Sequence, residues 1–367
     1  MENDKVLMVY FDSTRNVMGD LYKNIVNSLS DKKDFVVIVP SAYDIEEFSD
    51  DLFMRIKEEV SCENNNFIRV YKLYLLIRKL RGTIRKFKIN RCYFQIDQFI
   101  YDYSILMLCD GLISTSWIHD VDVHDGEGFN ANIKKVLTQY MLFPKINRFI
   151  VSYNGAKQEF LLKYGKFYEK NTEIIYLPRL AELEFEDVRS AGYESEYDFI
   201  FYGRIEKYKG LDQLLDVMED SSMRRVRLLI VGRGRDDFIV KQRIKSMSNV
   251  KFINSYVSNK ELAILIAKSR FVILPYRSAT GTQTIQLANY YGKMVLATKV
   301  GCFPEYIKEG VNGYFVNYQT KDAFIDAIGK CLENDMIDTH KINEHLSMFD
   351  LQNVANKLQK IVKGKVV

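Results

Sequence analysis

The stretch that decides the fold is residues 198–218, DFIFYGRIEKYKGLDQLLDVM. It opens with an apolar run typical of a buried strand and ends with apolar residues at the spacing of a helix. Gly203 and Gly210 bound the loop between them, and Arg204 and Lys209 bring two cations to it. Such a loop ahead of a helix start suits a phosphate group. A strand-to-helix turn with solvated cations is the plain alternative at this point.

The same alternation of strand and helix continues on both sides of this stretch. The predicted strands of the C-terminal half are Phe199–Tyr202, Val226–Val231, Val250–Ile253, Phe271–Leu274 and Met294–Thr298. Those of the N-terminal half are Lys5–Phe11, Phe35–Val39, Tyr93–Ile96, Gly111–Ser114, Phe149–Ser152 and Ile174–Tyr176. Helical spacing recurs between them, for example over Asn259–Ala267, for which Ser258 is the expected N-cap. The alternation predicts an α/β fold with parallel sheets and helices on both faces.

Two domains are expected from the length of 367 residues. Residues 181–197 are acidic and lack a sustained apolar face, which predicts a linker there. The first domain then covers residues 1–180 and the second covers residues 198–345. A C-terminal helix within residues 346–367 is expected to cross back to the first domain. Two doubly wound domains facing across a cleft would bind a ligand at the carboxyl ends of their strands.

The composition excludes several classes of protein. Lys and Arg number 52 against 48 Asp and Glu, so the net field favours no strong polyanion such as nucleic acid. The five cysteines are scattered without a CxxC pair, which indicates a reducing compartment and neither a disulfide framework nor a zinc site. The N-terminus lacks the pattern of a signal peptide, and no apolar run approaches the ~18 residues of a membrane span. We expect a cytoplasmic protein that can rest on the inner face of the cell membrane.

A second stretch with the means to bind an anion is residues 274–288, LPYRSATGTQTIQLA. A strand ends at Pro275, a hydroxyl-rich loop follows, and a helix is predicted from about Thr282. Backbone N–H groups at Gly281, Thr282 and Gln283 could hold a diphosphate at that helix start. Simple capping of the helix by one of the loop hydroxyls explains the same residues without a ligand.

Residues 292–316, GKMVLATKVGCFPEYIKEGVNGYFV, contain a specific series of predicted elements. They give a strand, a Gly-x-x-Pro-Glu turn, a short helix and a Gly-x-x-Gly turn. With the two stretches above, residues 198–333 resemble the nucleotide-sugar-binding domain of glycosyltransferase family 4 (glycosyl transferases group 1), of the bacterial surface-polysaccharide type. The resemblance implies the GT-B fold, with two Rossmann-like domains. It also implies transfer of a sugar from a nucleotide-diphosphate sugar, with retention of configuration, in lipopolysaccharide or capsule synthesis.

The resemblance assigns roles by position in the second domain. Arg204 and Lys209 would grip the donor diphosphate and stabilise the leaving nucleotide. The donor-binding residues would be Gly203, Arg204, Lys209, Tyr256, Gly281, Thr282, Gln283, Thr284, Gln286 and Glu305. The usual two glutamates eight residues apart are absent, because no acid occurs between Arg277 and Gly292. Gln286 stands where it could bond a ribose hydroxyl instead. Enzymes of this kind need no metal or other cofactor.

In the N-terminal half, residues 117–127, WIHDVDVHDGE, follow a predicted strand end. By resemblance, His119 would contact the donor sugar, and His119 and Asp120 are the catalytic candidates there. Asp122 would bind the acceptor. Asp12 and Gly19, in the first strand-to-helix loop, are further acceptor-binding candidates, although a plain loop accounts for them equally well.

A metal site is the alternative interpretation of the same segment. Its possible ligands are His119, Asp120, Asp122, His124 and Glu127. Their spacing matches no standard site, and no metal is expected.

Residues 67–92 form a basic segment with nine Lys or Arg and no Asp or Glu. The apolar residues Leu73, Ile77, Leu80, Ile84 and Phe87 have the spacing of one helical face, which Gly82 could interrupt. A solvated helix packed on the domain would show the same pattern. We favour a surface that lies on anionic lipid, with the membrane patch Arg78, Lys79, Arg85 and Lys86. A nucleic-acid face would require stacking aromatic residues between the cations.

The expected acceptor is a glycan, carried on a lipid, which would explain a membrane patch. Two other functions fit the same fold. A nucleotide-sugar 2-epimerase would need more acids in the cleft than the sequence offers. A non-catalytic GT-B partner of another transferase would keep the fold, and the activity of the complex would not depend on Arg204.

Overall fold

The computed structural model describes residues 5–95, 99–108, 111–119, 121, 136–179, 184–316, 320–333 and 338–365. The chain divides into two compact units. The first consists of Met1–Tyr176 with Leu351–Val367, and the second of Leu177–Asp350. Each unit is built on one parallel sheet flanked by helices. The predicted class, two doubly wound α/β domains, is therefore confirmed.

The first unit contains a seven-stranded parallel sheet in the order β3-β2-β1-β4-β5-β6-β7. Its strands are β1 (Val6–Val9), β2 (Phe35–Val39), β3 (Met54–Lys57), β4 (Arg91–Gln95), β5 (Ile113–Ile118), β6 (Arg148–Val151) and β7 (Thr172–Ile174). Its helices include α1 (Val17–Asn27), α2 (Asn66–Phe87), α3 (Phe99–Leu108) and α4 (Asn154–Tyr164). In the register, Val6 lies opposite both Phe35 and Arg91. Strands β1 and β2 are wholly buried, as expected of central parallel strands covered on both faces.

Strand β3 lies between two of the predicted strands, within residues 41–66, where the sequence pattern predicted no strand. It forms an edge of the sheet, where it pairs with β2 alone. Only Ile56 of its four residues is fully buried. An edge strand of such short length needs few apolar residues, so the polar composition of this region concealed it.

Helix α2 is one unbroken helix of 22 residues, so Gly82 does not interrupt it. Asn65 caps the start of the helix, because its Oδ1 accepts hydrogen bonds from the N–H groups of Phe67 and Ile68. The buried side of α2 includes Leu76, Leu80 and Ile84, which join the hydrophobic core of the first unit. The apolar stripe found in the sequence is therefore an internal packing face.

Replacing Gly82 with alanine should stabilise the first unit by roughly 0.5–1 kcal/mol, because alanine restricts the unfolded chain and favours helix. A Cβ at this position would meet no atom within 4 Å. Chemical denaturation of both proteins measures the difference. A lower midpoint for Gly82→Ala would contradict the unbroken helix.

The C-terminal helix, Leu351–Val362, packs in the first unit. The ammonium of Lys363, just beyond it, lies 2.8 Å from Asp31 Oδ2 and 2.6 Å from Asp34 Oδ2. The hydrogen bond from Lys363 lowers the pKa of the Asp31 carboxyl. Arg148 Nη1 on β6 also donates to the carbonyl of Ile361, at 3.2 Å. These contacts hold the end of the chain against the first sheet.

The second unit contains a six-stranded parallel sheet in the order β10-β9-β8-β11-β12-β13. Its strands are β8 (Tyr197–Tyr202), β9 (Leu228–Val231), β10 (Val250–Ile253), β11 (Ser269–Leu274), β12 (Met294–Thr298) and β13 (Gly313–Val316). Its helices are α5 (Glu186–Ser190), α6 (Leu211–Met218), α7 (Asp237–Arg243), α8 (Asn259–Ala267), α9 (Thr284–Tyr290), α10 (Phe303–Tyr306), α11 (Lys321–Glu333) and α12 (Thr339–Leu346). Ser258 caps α8 by accepting the N–H of Glu261, as predicted.

The segment expected to be a linker, residues 181–197, lies within the second unit. Where it is described, from residue 184 onward, it contains α5 and the first residue of β8. The hydroxyl of Tyr291 accepts the N–H of Phe185 at 3.0 Å, and Tyr290 donates to Glu186 at 3.1 Å. This segment is rich in acidic residues, and only Val188 of α5 is buried. The helix therefore has too weak an apolar pattern to be recognised from the sequence.

Candidate donor site at the carboxyl end of the second sheet

The candidate site begins where β8 ends. Gly203 follows the strand with a φ of 113°, in the left-handed range that glycine tolerates best. Its N–H donates to the carbonyl of Val231 at 3.0 Å, and the N–H of Ile205 donates to the carbonyl of Arg233 at 3.0 Å. The loops that follow β8 and β9 therefore lie side by side, paired through their backbones.

Two glycines of the β9 loop make this close pairing possible. A Cβ on Gly232 would lie 1.9 Å from the carbonyl oxygen of Gly203, and one on Gly234 would lie 1.9 Å from that of Ile205. Gly232 also has a φ of 146°. Only glycine fits at either position. The sequence interpretation missed this pair, although a Gly-x-Gly directly after a strand was a usable signal.

Lys209 is the central cation of the site. It is the last residue of a short 3₁₀ turn, Lys207–Lys209, and the left-handed Gly210 then leads into α6. The Lys209 side chain is buried, with 8% of its surface exposed. Its Nζ lies 5.0 Å from the ring centre of Tyr276 and 5.9 Å from that of Phe201. It also lies 2.9 Å from the point where a Cβ on Gly203 would stand. Lys209 thus reaches across to the end of β8.

The electrostatics of Lys209 are unusual for a buried lysine. Burial lowers the pKa of its ammonium, and the nearby charge of Arg204 lowers it further. Within the described ranges, no carboxylate lies close enough to form an ion pair with it. The ring faces of two aromatic residues compensate only part of the lost hydration. Because Arg204 is exposed, its guanidinium remains accessible to a ligand beside the buried ammonium.

Arg277 fixes the turn that carries Lys209. Its Nη2 donates to Asp212 Oδ2 at 2.6 Å, and its Nη1 donates to the carbonyl of Lys207 at 3.3 Å. Its backbone N–H donates to the carbonyl of Tyr208 at 2.7 Å. The loop after β11 therefore holds the turn after β8 from outside. The contacts of Arg277 with Lys207 and Asp212 had no signal in the sequence.

The hydroxyl-rich loop lies at the same end of the sheet, after β11. Helix α9 begins at Thr284, two residues later than predicted, and the N–H of Thr284 donates to Thr282 Oγ1 at 3.1 Å. Gly281 and Thr282 are half-buried. A Cβ on Gly281 would lie 2.9 Å from a methyl carbon of Leu177. Packing against Leu177 therefore accounts for a glycine at position 281 without any ligand.

The two glutamines of this region bind the backbone that enters the second unit. Gln283 Nε2 donates to the carbonyl of Pro178 at 2.8 Å, and Gln286 Nε2 donates to that of Leu177 at 3.2 Å. Gln286 is completely buried, and Gln283 is half-buried. Both side chains tie α9 to residues 177–178. The ribose contact of Gln286 stays a prediction.

The Gly-x-x-Pro-Glu turn packs against the hydroxyl-rich loop. A Cβ on Gly301, where φ is 51°, would lie 1.6 Å from the carbonyl oxygen of Ala279. The N–H of Cys302 donates to that same oxygen at 3.2 Å. Glu305, on α10, is half-buried. Tyr256, in contrast, stands exposed in the loop after β10.

Asp12 and Gly19 in the first unit have internal partners. The Asp12 carboxylate accepts hydrogen bonds from Tyr10, Thr14 and Asn16 and is buried. A Cβ on Gly19 would lie 2.4 Å from the Tyr43 hydroxyl oxygen. The local packing of the loop thus accounts for both residues, and their acceptor role stays a prediction.

His119 follows β5 at the carboxyl end of the first sheet. It is half-buried, and its ring stacks on the buried Trp117 with 5.2 Å between the ring centres. Asp120 and Asp122, together with His124 and Glu127, lie outside the described residues. Their roles, and that of His119, stay predictions.

Among the described residues, no three His, Cys, Asp or Glu side chains are grouped so that they could hold a metal ion. Nor does any helix in the described ranges have the length and apolar character needed to cross a membrane.

The second unit is similar in sequence to known proteins. Residues 184–346 match the family Glycosyl transferases group 1. An uncharacterised 41.2 kDa protein in the cps region of Klebsiella pneumoniae is 26% identical over 150 residues, 41% of this chain and 38% of that protein. A GDP-mannose:glycolipid 4-beta-D-mannosyltransferase of Xanthomonas campestris pv. campestris is 31% identical over 101 residues, 27% of this chain and 29% of that enzyme.

The match to each of these two curated relatives thus spans less than half of the relative's length. Over the whole chain, the fold is similar to that of HepE from Anabaena, solved in complex with UDP-glucose. The TM-score is 0.70 at 14% identity, with 98% of this chain and 99% of HepE covered. Residues 184–346 therefore match the family Glycosyl transferases group 1, within a chain whose whole fold is similar to that of solved GT-B glycosyltransferases.

Proposed function

We propose that this protein transfers a sugar from a nucleotide-diphosphate sugar to a glycan acceptor during synthesis of a surface polysaccharide. The observation that carries the proposal is Lys209, a buried ammonium with no carboxylate within ion-pair distance in the described part of the chain, although the charge of Glu206 acts on it from farther away. Burying an unpaired charge costs free energy, so a fold keeps one where an anion compensates it. The exposed Arg204 beside it adds a planar fork of donors suited to phosphate oxygens.

The two cations have a defined part in the reaction. As the bond between the sugar and the diphosphate breaks, negative charge develops on the departing phosphate oxygen. Lys209 and Arg204 stabilise that charge from fixed positions, which lowers the barrier more than it lowers the energy of the bound donor. Because two protein cations supply the positive charge, the proposal needs neither a metal nor another cofactor.

The sugar itself needs contacts beyond the diphosphate. We assign this role to His119 and Asp120, and the orientation of the acceptor to Asp122, on the basis of the family resemblance. The same resemblance supports retention of the anomeric configuration. The names of the relatives support a diphosphate donor, since one relative uses GDP-mannose and the structural neighbour HepE was solved with UDP-glucose.

A thermal-shift screen with UDP-, GDP- and dTDP-sugars tests the donor class. One nucleotide family should stabilise the protein, by about 2.7 kcal/mol when the ligand is at a hundred times its Kd. Release of that nucleoside diphosphate should then require a glycan acceptor. Stabilisation by none of the three families would contradict the proposal. Conversion of the donor sugar without any acceptor would indicate the epimerase instead.

The pH dependence of donor binding should report Lys209. Its charged form binds the diphosphate, and its pKa in the free protein lies below the ordinary value for lysine. Affinity should therefore decline as the pH rises through this lowered pKa, at a pH where an exposed lysine is still charged. Titration calorimetry from about pH 7 to about pH 10 measures this decline. Lys209→Arg should shift it to higher pH, and an unchanged profile would argue against Lys209.

We also propose that α2 contacts an anionic membrane, where a lipid-linked acceptor would be found. Arg78, Lys79, Arg85 and Lys86 are all exposed on this helix. Each cation near such a surface contributes about 1 kcal/mol. Flotation with anionic vesicles should therefore be salt-sensitive and should be lost when all four residues become Gln. Flotation that survives the four substitutions would contradict this contact.

A further inference from the structure

Helix α2 exposes an apolar surface that the sequence pattern did not indicate. The buried stripe of the helix faces the core of the first unit, but the first half of the helix also carries large apolar side chains in solvent. These residues are Phe67, Ile68, Val70, Tyr71, Tyr74 and Leu75. Phe67 is 89% exposed and Val70 is 67% exposed. We call this group the aromatic face. A contiguous patch of this kind on a helix usually marks an interaction site.

The aromatic face and the cations lie on the same side of α2. Phe67, Tyr71, Tyr74, Arg78 and Arg85 are separated by four, three, four and seven residues, and this spacing keeps them on one side of a helix. Because α2 is unbroken from Asn66 to Phe87, this side is a continuous strip. Its first half is aromatic and its second half is basic.

The positive charge of the strip indicates which kind of partner it would bind. The sequence from residue 64 to residue 96 contains no Asp or Glu. The acids just before the helix, Glu59 and Glu63, are both paired with Lys72, on the side that is partly buried. A second copy of this chain would bring one basic strip against another, which like charges oppose. Anionic lipid satisfies both halves, since aromatic side chains settle at the boundary of headgroups and acyl chains and cations lie on the headgroups.

We propose that the aromatic face inserts into the interface of an anionic membrane, so that α2 penetrates the bilayer surface with its first half and adsorbs with its second half. This deepens the membrane contact proposed above, and rests on it. Adsorption by the cations alone would leave the aromatic side chains in water. Insertion adds a contribution that salt does not screen.

Tryptophan fluorescence separates insertion from adsorption. The chain has a single tryptophan, Trp117, which is fully buried and gives a constant background. Phe67→Trp should show a blue-shifted emission with vesicles of phosphatidylglycerol and phosphatidylcholine, and quenching by brominated lipid. Phosphatidylcholine alone should give neither effect. Leu162→Trp is the matched control, because Leu162 lies on α4 of the same unit and is 87% exposed. Its emission should not change.

A second variant measures the contribution of the aromatic face. Phe67→Ser/Tyr71→Ser/Tyr74→Ser should melt like the parent, because all three side chains are exposed, yet bind anionic vesicles about tenfold or more weakly. The residual binding should be released by salt. Leu162→Ser should bind like the parent.

Three results would overturn the inference. Phe67→Trp that floats with anionic vesicles without any change in emission would show adsorption without insertion, and the proposed membrane contact would stand. A blue shift that grows with protein concentration in the absence of lipid would identify a second copy as the partner. No flotation at all would remove the membrane contact as well. None of these results affects donor binding, which is measured without lipid.

Discussion

Arg204→Ala and Lys209→Met should each abolish detectable transfer, a loss of about a hundredfold to a thousandfold or more, because each removes a fixed positive charge from the leaving diphosphate. The two variants should differ in stability. Arg204 is exposed, so its removal should change the free energy of unfolding by less than about 0.5 kcal/mol. Lys209 is a buried charge, so the free protein should gain stability when methionine fills the same volume.

This combination of lost binding and gained stability distinguishes a ligand site from a structural lysine. Thermal melts with and without the stabilising nucleotide, together with transfer assays, measure both quantities. Lys207→Ala is the matched control, since Lys207 is an exposed cation of the same loop and contributes a backbone carbonyl, which the variant keeps. Full activity of Arg204→Ala would support the alternative of a non-catalytic partner subunit. Unfolding of Lys209→Met would show that Lys209 holds the fold.

The sequence predicted the layered fold well, because central parallel strands are continuous apolar runs. Strands β2, β10 and β12 have the predicted bounds, and so has the C-terminal helix. The sequence pattern failed to predict two elements at the margins of the units. Strand β3 and helix α5 each bury one fully enclosed residue, so their hydrophobic pattern is too faint to detect. Their position at the margin of each unit explains why so little apolar surface suffices.

The candidate site could be predicted only as a set of positions. Motif order placed Gly203, Arg204 and Lys209 in one loop, and the structure brings them together at the end of β8. The sequence could not show which polar side chains form hydrogen bonds within the protein and which remain available to a ligand. Gln286 and Arg277 both bind backbone carbonyls, although their side chains would equally suit a ligand. Such choices depend on contacts between residues far apart in the sequence.

The same limit applied to α2. Periodicity identified its buried stripe correctly, but it did not reveal the second apolar group, which lies exposed in the first half of the helix. Burial alone separates the two faces: Leu80 is fully buried, and Phe67 is almost fully exposed. The basic residues therefore pointed to the membrane, and the structure added the side chains that would enter it.

Gly232→Ala should distort the donor site through its backbone, without removing any of its side chains. The added Cβ would stand 1.9 Å from the carbonyl oxygen of Gly203, and the φ of 146° is one that alanine rarely adopts. Backbone lies on both sides of the contact, so neither partner can yield without moving the β8 loop. We expect the second unit to lose about 2–4 kcal/mol of stability from clash and backbone strain. Nucleotide binding should weaken at least about a hundredfold, since a displacement of about 1 Å suffices for such a loss.

Gly329→Ala is the control for this experiment. Gly329 lies within helix α11 of the same unit, and a Cβ there would meet no atom within 4 Å. It should stabilise the protein by roughly 0.5–1 kcal/mol and leave nucleotide binding unchanged. Melting curves and nucleotide titrations of both variants give the comparison. If Gly232→Ala kept the melting temperature and the affinity of the parent, the paired loops could not be what positions Arg204 and Lys209. The diphosphate would then have to bind to other loops at the carboxyl end of the second sheet.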